Sequence, residues 1–172
     1  MTTALVLEPH NDDAALFSAF NAIRTRAHIV TVLASSVERT AESAAAAAIF
    51  GCSYEQWPEP DDAPDWKAVA RMLLVHDSDH APEIVFAPWP ESSGGNEQHN
   101  MVGRLAEQVY GDRVTFYTTY RTGAPRTTGT PVPYEREWVL MKLRALACFE
   151  SQIRSGPVRF FAEHSLLEWT RP

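Results

Sequence analysis

The sequence predicts a three-layer α/β domain built on a mostly parallel sheet. Three observations lead there. Short apolar runs rich in β-branched residues alternate with longer segments whose apolar residues recur at helical spacing. The short runs are apolar nearly throughout, the pattern of parallel strands covered on both faces. A length of 172 residues, 45% of them hydrophobic and 22% charged, suits one hydrophobic core, so 1–172 is expected to form a single domain.

The elements follow in order. "TALVLE" (3–8) is the first strand. "DDAALFSAFNAI" (12–23) is a helix with Asp at its start, where the helix dipole favours negative charge. "HIVTVLA" (28–34) is a second buried strand. "VERTAESAAAAAIFG" (37–51) is an alanine-rich helix ended by Gly51. "DWKAVARMLLVHD" (65–77) is a helix that gives way to a solvated turn at "VHDSDH" (75–80). "EIVFAPW" (83–89) is a strand, "NEQHNMVGRLAEQVYG" (96–111) a helix stopped by Gly111, and "RVTFYTTY" (113–120) a strand. "RTGAPRTTGTPVP" (121–133) is rich in Gly, Pro and Thr and reads as a loop or lid. "YEREWVLMKLRALACFESQI" (134–153) is an amphipathic helix. "VRFFAEHSLLEW" (158–169) closes the domain as a short strand or helix.

Composition excludes several classes. The net charge is −7, from 22 acidic and 15 basic residues, so the surface has no general attraction for nucleic acid or anionic lipid. A nucleic-acid partner is not expected. No apolar run approaches the roughly 20 residues that span a bilayer, and the N-terminus lacks the pattern of a secretory signal. The two cysteines, Cys52 and Cys148, belong to no CxxC pair and are expected to be buried free thiols. A reducing, cytoplasmic location follows.

In such sheets ligands bind beyond the carboxyl ends of the strands. Two loops at that edge carry unusual chemistry: "PHNDD" (9–13) and "PWPESSGGNEQH" (88–99). Two histidines and a carboxylate are a common set for catalytic zinc, with the fourth position open to water. A further carboxylate beside that water can act as general base. Adjacent Asp12 and Asp13 can divide these tasks, because neighbouring side chains point in different directions. The alternative is that the Asp pair only caps a helix.

Several motifs then point the same way. "LVLEPHNDDAALF" resembles the "HPDDE" opening of the PIG-L/LmbE-like zinc-dependent N-deacetylases. Arg39, Glu42, Ala46 and "FG" at 50–51 fall at the spacings of that family's next helix. "APEIVFAPWPESSGGNEQHNMVGRLA" resembles its "PDVVFTPWPEDGHPDHRAVGRLA". "MKLRALACFESQI" resembles its late "K…A…Y.SQ" helix. The resemblance implies a Rossmann-like α/β fold and a cytoplasmic hydrolase that removes an N-acyl group, usually acetyl, from an amino sugar or related small amine. It implies His10, Asp13 and His99 as ligands of zinc, with iron(II) an alternative. It implies Asp12 as the base that takes a proton from the attacking water and returns it to the leaving amine, and Arg39 as a substrate contact. Trp89 and Tyr120, at strand ends on the active edge, and Arg121, beside the loop, are candidate substrate contacts.

The chain also departs from the family pattern. Asn11 replaces a proline, which changes loop stiffness without removing a ligand. "NEQH" replaces "HPDH", so Asn96 stands where the family has a histidine that stabilises the oxyanion, and Gln98 stands for an aspartate. Asn96 can donate a hydrogen bond to an oxyanion, and His164 is a second candidate for that task. Two alternatives accompany this reading: a deacetylase of a modified nucleotide or natural-product intermediate, and a non-catalytic metal- or sugar-binding relative. The acyl acceptor and the oligomeric state are not legible in the sequence.

Overall fold

The computed structural model describes residues 3–91, 96–119, 129–155 and 167–171. A seven-stranded sheet runs through the middle, in the order β3-β2-β1-β4-β5-β7-β6. The strands are β1 (Ala4–Glu8), β2 (His28–Ala34), β3 (Ser53–Pro60), β4 (Ile84–Pro88), β5 (Val114–Tyr117), β6 (Thr130–Pro131) and β7 (Trp169–Arg171). The first five are parallel, and β7 and β6 add an antiparallel ribbon at one side. The mostly parallel three-layer architecture is therefore as expected.

The layers follow from the alternation of side chains along each strand. In β1, Ala4 and Val6 face one core and Leu5 and Leu7 the other. The first core is closed by α1 (Asp13–Phe17), α2 (Ala19–Thr25), α3 (Val37–Phe50) and α6 (Arg136–Leu146). The second is closed by α4 (Trp66–His80) and α5 (Glu97–Tyr110). A short α7 (Glu150–Ser155) follows α6. It is tied to α3 by Glu42, whose carboxylate accepts from the Ser151 amide and hydroxyl at 2.8 and 2.6 Å.

Four elements differ from the sequence expectation. β3 is an additional strand. Its segment, "SYEQWPEP", carries two prolines and four polar residues (Ser53, Glu55, Gln56 and Glu59), and it lies at the sheet edge, where proline does not break a ladder. The helix expected over 12–23 is broken at Ser18. The helix expected over 134–153 is split into α6 and α7. The turn expected at 75–80 is helical instead: α4 runs on to His80, and His76 is 7% exposed, because it packs against Trp57, Tyr110 and His28 on the covered side of the helix. The segment 121–128 and most of 158–169 lie outside the described residues. Cys52 and Cys148 are free but only half-buried.

The break at Ser18 has a physical cause. In a continuous helix the Phe20 amide would donate to the Leu16 carbonyl. Here the Lys142 ammonium donates to Leu16 O at 2.9 Å, and the Glu168 carboxylate accepts from Phe20 N at 3.0 Å. Lys142 and Glu168 join each other at 2.6 Å, both side chains fully buried. A buried ion pair thus satisfies two of the backbone groups that the break releases, Leu16 O and Phe20 N. Burial pushes the ammonium down and the carboxyl up from their ordinary ranges, and their contact opposes both shifts. Lys142→Met is expected to destabilise the fold by about 3–5 kcal/mol, because it strands a buried carboxylate and a buried carbonyl. Urea unfolding measures this, and a loss below about 1 kcal/mol would contradict it.

Candidate metal centre

The site is built where β1 and β4 end. After Glu8 the chain turns through Pro9–Asp12 into α1. Three contacts hold the turn: Leu33 N donates to Pro9 O at 3.1 Å, Asp13 N to His10 O at 3.2 Å, and Ala14 N to the Glu8 carboxyl at 2.8 Å. Burial pushes the Glu8 carboxyl up to about 8, above what the hydrogen bonds from Thr31 and Ala14 can offset. Asn11, 1% exposed, replaces the stiffness of a proline with a network. Its amide donates to Tyr54 Oη and Gln56 Oε1 at 3.0 and 2.7 Å, and its oxygen accepts from Ser35 Oγ at 2.6 Å.

The second half comes from α5. Asn96 is its N-cap, with Oδ1 accepting from the Gln98 and His99 amides at 3.1 and 3.4 Å, and His99 lies in the first turn. Gly103, one turn further on, permits the approach. A Cβ there would stand 2.2 Å from Pro88 O, so only glycine lets α5 lie this close to the end of β4.

His10 Nδ1, Asp13 Oδ2 and His99 Nε2 converge. The separations are 3.2 Å from His10 to Asp13, 3.1 Å from His10 to His99 and 3.3 Å from His99 to Asp13. His10 Nε2 faces two acceptors, Gln98 Oε1 at 2.8 Å and Asp61 Oδ1 at 3.3 Å, so it carries a proton. In the neutral ring Nδ1 is then a lone pair aimed at the centre. Burial pushes the His99 imidazolium down to about 4, so this ring presents a neutral nitrogen. Burial opposes charge on His10 as well, but hydrogen bonds to Asp13 and Asp61 prevail and raise it well above the ordinary value. Burial likewise opposes the Asp13 carboxylate, and the two imidazoles hold it low.

These donors fit a divalent ion. Ligand atoms about 2.0–2.1 Å from a tetrahedral ion lie about 3.3 Å from one another. Two imidazole nitrogens and a carboxylate oxygen at 3.1–3.3 Å match that spacing, and they repel one another unless a proton or a cation lies among them. His99 Nδ1 is buried with no partner among the described residues. Asp61→Asn is expected to weaken zinc binding about 10–100-fold, because a neutral amide no longer raises the basicity of the His10 ring as the carboxylate does. Competition against a chromogenic chelator reads this directly, and an affinity within twofold of the parent would contradict it.

Asp12 stands at the N-cap position of α1, yet its side chain makes no capping bond. It pairs with Arg39 Nη2 at 3.2 Å instead. Burial first, then the charge of Asp13, pushes its carboxyl up to about 6, against the pull of Arg39 and His10. Arg39, expected at the substrate, therefore touches Asp12, and its Nε is buried without a partner among the described residues. Trp89 is half-buried beneath the Arg171 guanidinium, 3.9 Å from the ring centroid. Asn96 is exposed and caps α5. Tyr120, Arg121 and His164 lie outside the described residues.

Sequence reasoning missed Asp61 and Glu8. Asp61 follows β3 in "PEPDDAP" and arrives at the same carboxyl edge as the two polar loops, so recognising that strand would have found it.

Fold and donor set together define an α/β protein with a two-histidine, one-carboxylate centre at the carboxyl edge of its sheet. No protein-family model and no curated protein sequence matches the chain. Solved structures do match. A deacetylase of the teicoplanin biosynthetic pathway, crystallised as a triple mutant, has a TM-score of 0.71 at 15% identity, covering 88% of this chain and 83% of its own. N,N'-diacetylchitobiose deacetylase from Pyrococcus horikoshii, in complex with an inhibitor, has a TM-score of 0.71 at 15% identity, covering 99% and 83%. GalB, the 4-carboxy-2-hydroxymuconate hydratase from Pseudomonas putida KT2440, has a TM-score of 0.72 at 17% identity, covering 95% and 84%. The PIG-L/LmbE-like fold implied by the sequence resemblance is the fold these structures share. It serves a hydratase as well as deacetylases, so the fold alone does not name the reaction.

Proposed function

We propose that the chain is a metal-dependent N-deacetylase that removes an acyl group, acetyl foremost, from an amino sugar or related small-molecule amine. The observation that carries this reading is the buried Asp12 carboxyl, neither a helix cap nor part of the converging triad, beside three donors spaced for a divalent ion. His10, Asp13 and His99 would hold the ion. When bound, zinc or iron(II) supplies Lewis acidity toward an acyl carbonyl and lowers the pKa of water.

The remaining work falls to the chain. Asp12, ionised beside Arg39, accepts a proton from the attacking water as the C–O bond forms. Its raised proton affinity lets it hold that proton and return it to nitrogen as the C–N bond breaks, giving the amine and a carboxylate. Arg39 keeps the carboxyl oriented and, with its unpartnered Nε, offers a donor toward substrate. Asn96, three residues ahead of His99 in the chain, and His164 are the proposed donors to the developing oxyanion. Trp89, Tyr120 and Arg121 are proposed to contact the acceptor.

We assign 1–172 to one deacetylase domain, supported by neighbours that cover 88–99% of the chain. Free Cys52 and Cys148 accord with a reducing compartment such as the cytoplasm. No described helix is long and apolar enough to cross a membrane.

The test is amine release by the zinc- or iron-loaded chain from a panel of N-acetyl amino sugars, N-acetylated nucleosides and aminoglycoside-like compounds. Release from at least one class is expected. Amine is measured rather than loss of substrate, because a hydratase of the same fold would consume substrate without freeing it. Bound metal with no amine from any class would overturn the proposal in favour of a non-catalytic binder.

A further inference from the structure

A cavity of about 950 Å³ opens at the opposite edge of the sheet, among the first residues of β1, β2, β3 and β4. β1 is five residues long and spans about 13 Å, and the metal centre lies beyond its far end, so the two sites are separated by the length of the strand. The cavity wall carries Arg24, Arg26, His28, His76 and His80, with Ser53 beside them and an apolar floor that includes Leu5 and Ile84. No carboxylate is among the residues that line it, in a chain whose net charge is −7, and the nearest one named, Glu55, is paired with His28 at 3.3 Å. We propose that this cavity is a second ligand site, for a phosphate-bearing small molecule, independent of the deacetylase reading.

The three imidazoles form one array. His76 lies between the others, with ring centroids 6.0 Å from His28, nearly parallel, and 4.6 Å from His80. His76 is 7% exposed and lines the cavity. Its Nδ1 lies 3.5 Å from the Tyr110 hydroxyl, and its Nε2 has no partner among the described residues. A ring nitrogen without a partner, on a side chain that lines the cavity, can donate to or accept from a ligand there. Burial, then the neighbouring His80 and His28, push the His76 imidazolium down. An anion in the cavity relieves that repulsion.

One basic residue near each helix end would need no ligand. The dipoles of α2 and α4 favour Arg24 and His80, the basic residues of their last turns. Arg26 and His76 are in excess of that demand, whereas His28 is already met by the Glu55 carboxylate at 3.3 Å. Arg26 is exposed, makes no ion pair among the described residues, and is held by a left-handed backbone with φ 51°. Two arginines and three imidazoles able to donate hydrogen bonds around one space suit a dianion such as a phosphate monoester, and the apolar floor suits the body that carries it.

The experiment is a titration of the full chain with inorganic phosphate, followed through the histidine Cε1–H resonances. Saturable shifts of His28, His76 and His80 are expected, with a midpoint at or below about 10 mM. Chloride at matched ionic strength should not reproduce them. His10 and His99 report separately on phosphate at the metal centre. The exposed pair Arg24→Glu and Arg26→Glu should weaken the cavity response about tenfold or more and leave amine release unchanged. His80→Gln serves as a second, neutral variant and should weaken it as well. No saturable shift of these three rings, or equal shifts in the charge-reversed variant, would overturn the proposal.

Discussion

Asp12→Asn is expected to lower the rate of amine release about 10²–10⁴-fold, the usual worth of a positioned general base. Metal content should be unchanged, because Asp12 is not among the three converging donors. The amide is isosteric and can still meet Arg39, so the α1 loop should keep its shape. The pH profile carries the same claim. Asp12 must be ionised before attack, so activity should rise with pH through its folded-state value. Burial and Asp13 set that value near 6, and a bound cation favours the carboxylate, so the acid limb lies at or below about pH 6. The asparagine variant should lose that limb. A variant that retains the parent rate would remove Asp12 from the mechanism, whatever the metal does.

His99→Ala should have the larger effect on binding. It removes one of three donors and opens a buried space against Asp13 and His10. The loss of zinc affinity should exceed the about 10–100-fold that an outer partner such as Asp61 is worth. Thermal unfolding gives a second readout. An ion that binds only the folded chain stabilises it by about 4 kcal/mol at a thousandfold excess over Kd. Zinc should therefore raise the melting temperature of the parent chain and barely move that of His99→Ala. Equal zinc-induced shifts in the two proteins would place the ion elsewhere.

Much of this centre was legible because its chemistry is local in sequence. His10, Asp12 and Asp13 lie within one turn, and β1 and β4 are so apolar that their carboxyl ends, and hence the site edge, follow from pattern alone. What was not legible depends on long-range pairing. β3 hides behind prolines and glutamates because an edge strand has one solvated face, and with it went Asp61. The break at Ser18 cannot be read from "DDAALFSAFNAI", since its cause is an ion pair formed by Lys142 and Glu168, 126 and 148 residues away from the groups they satisfy. The "VHDSDH" stretch looked like a turn because its only buried residue is a histidine, His76, which does not read as part of an apolar helix face. Asp12 and Asp13 remained interchangeable on composition, and only the fold sends one to the triad and the other to Arg39.

The most direct test is to strip the purified chain with a chelator and titrate zinc back while measuring bound metal and amine release together. The account predicts no release from the stripped chain and release that rises in proportion to bound zinc, saturating at one ion per chain. Release that persists after stripping, or full metal loading without any release from an N-acetylated amine, would contradict it.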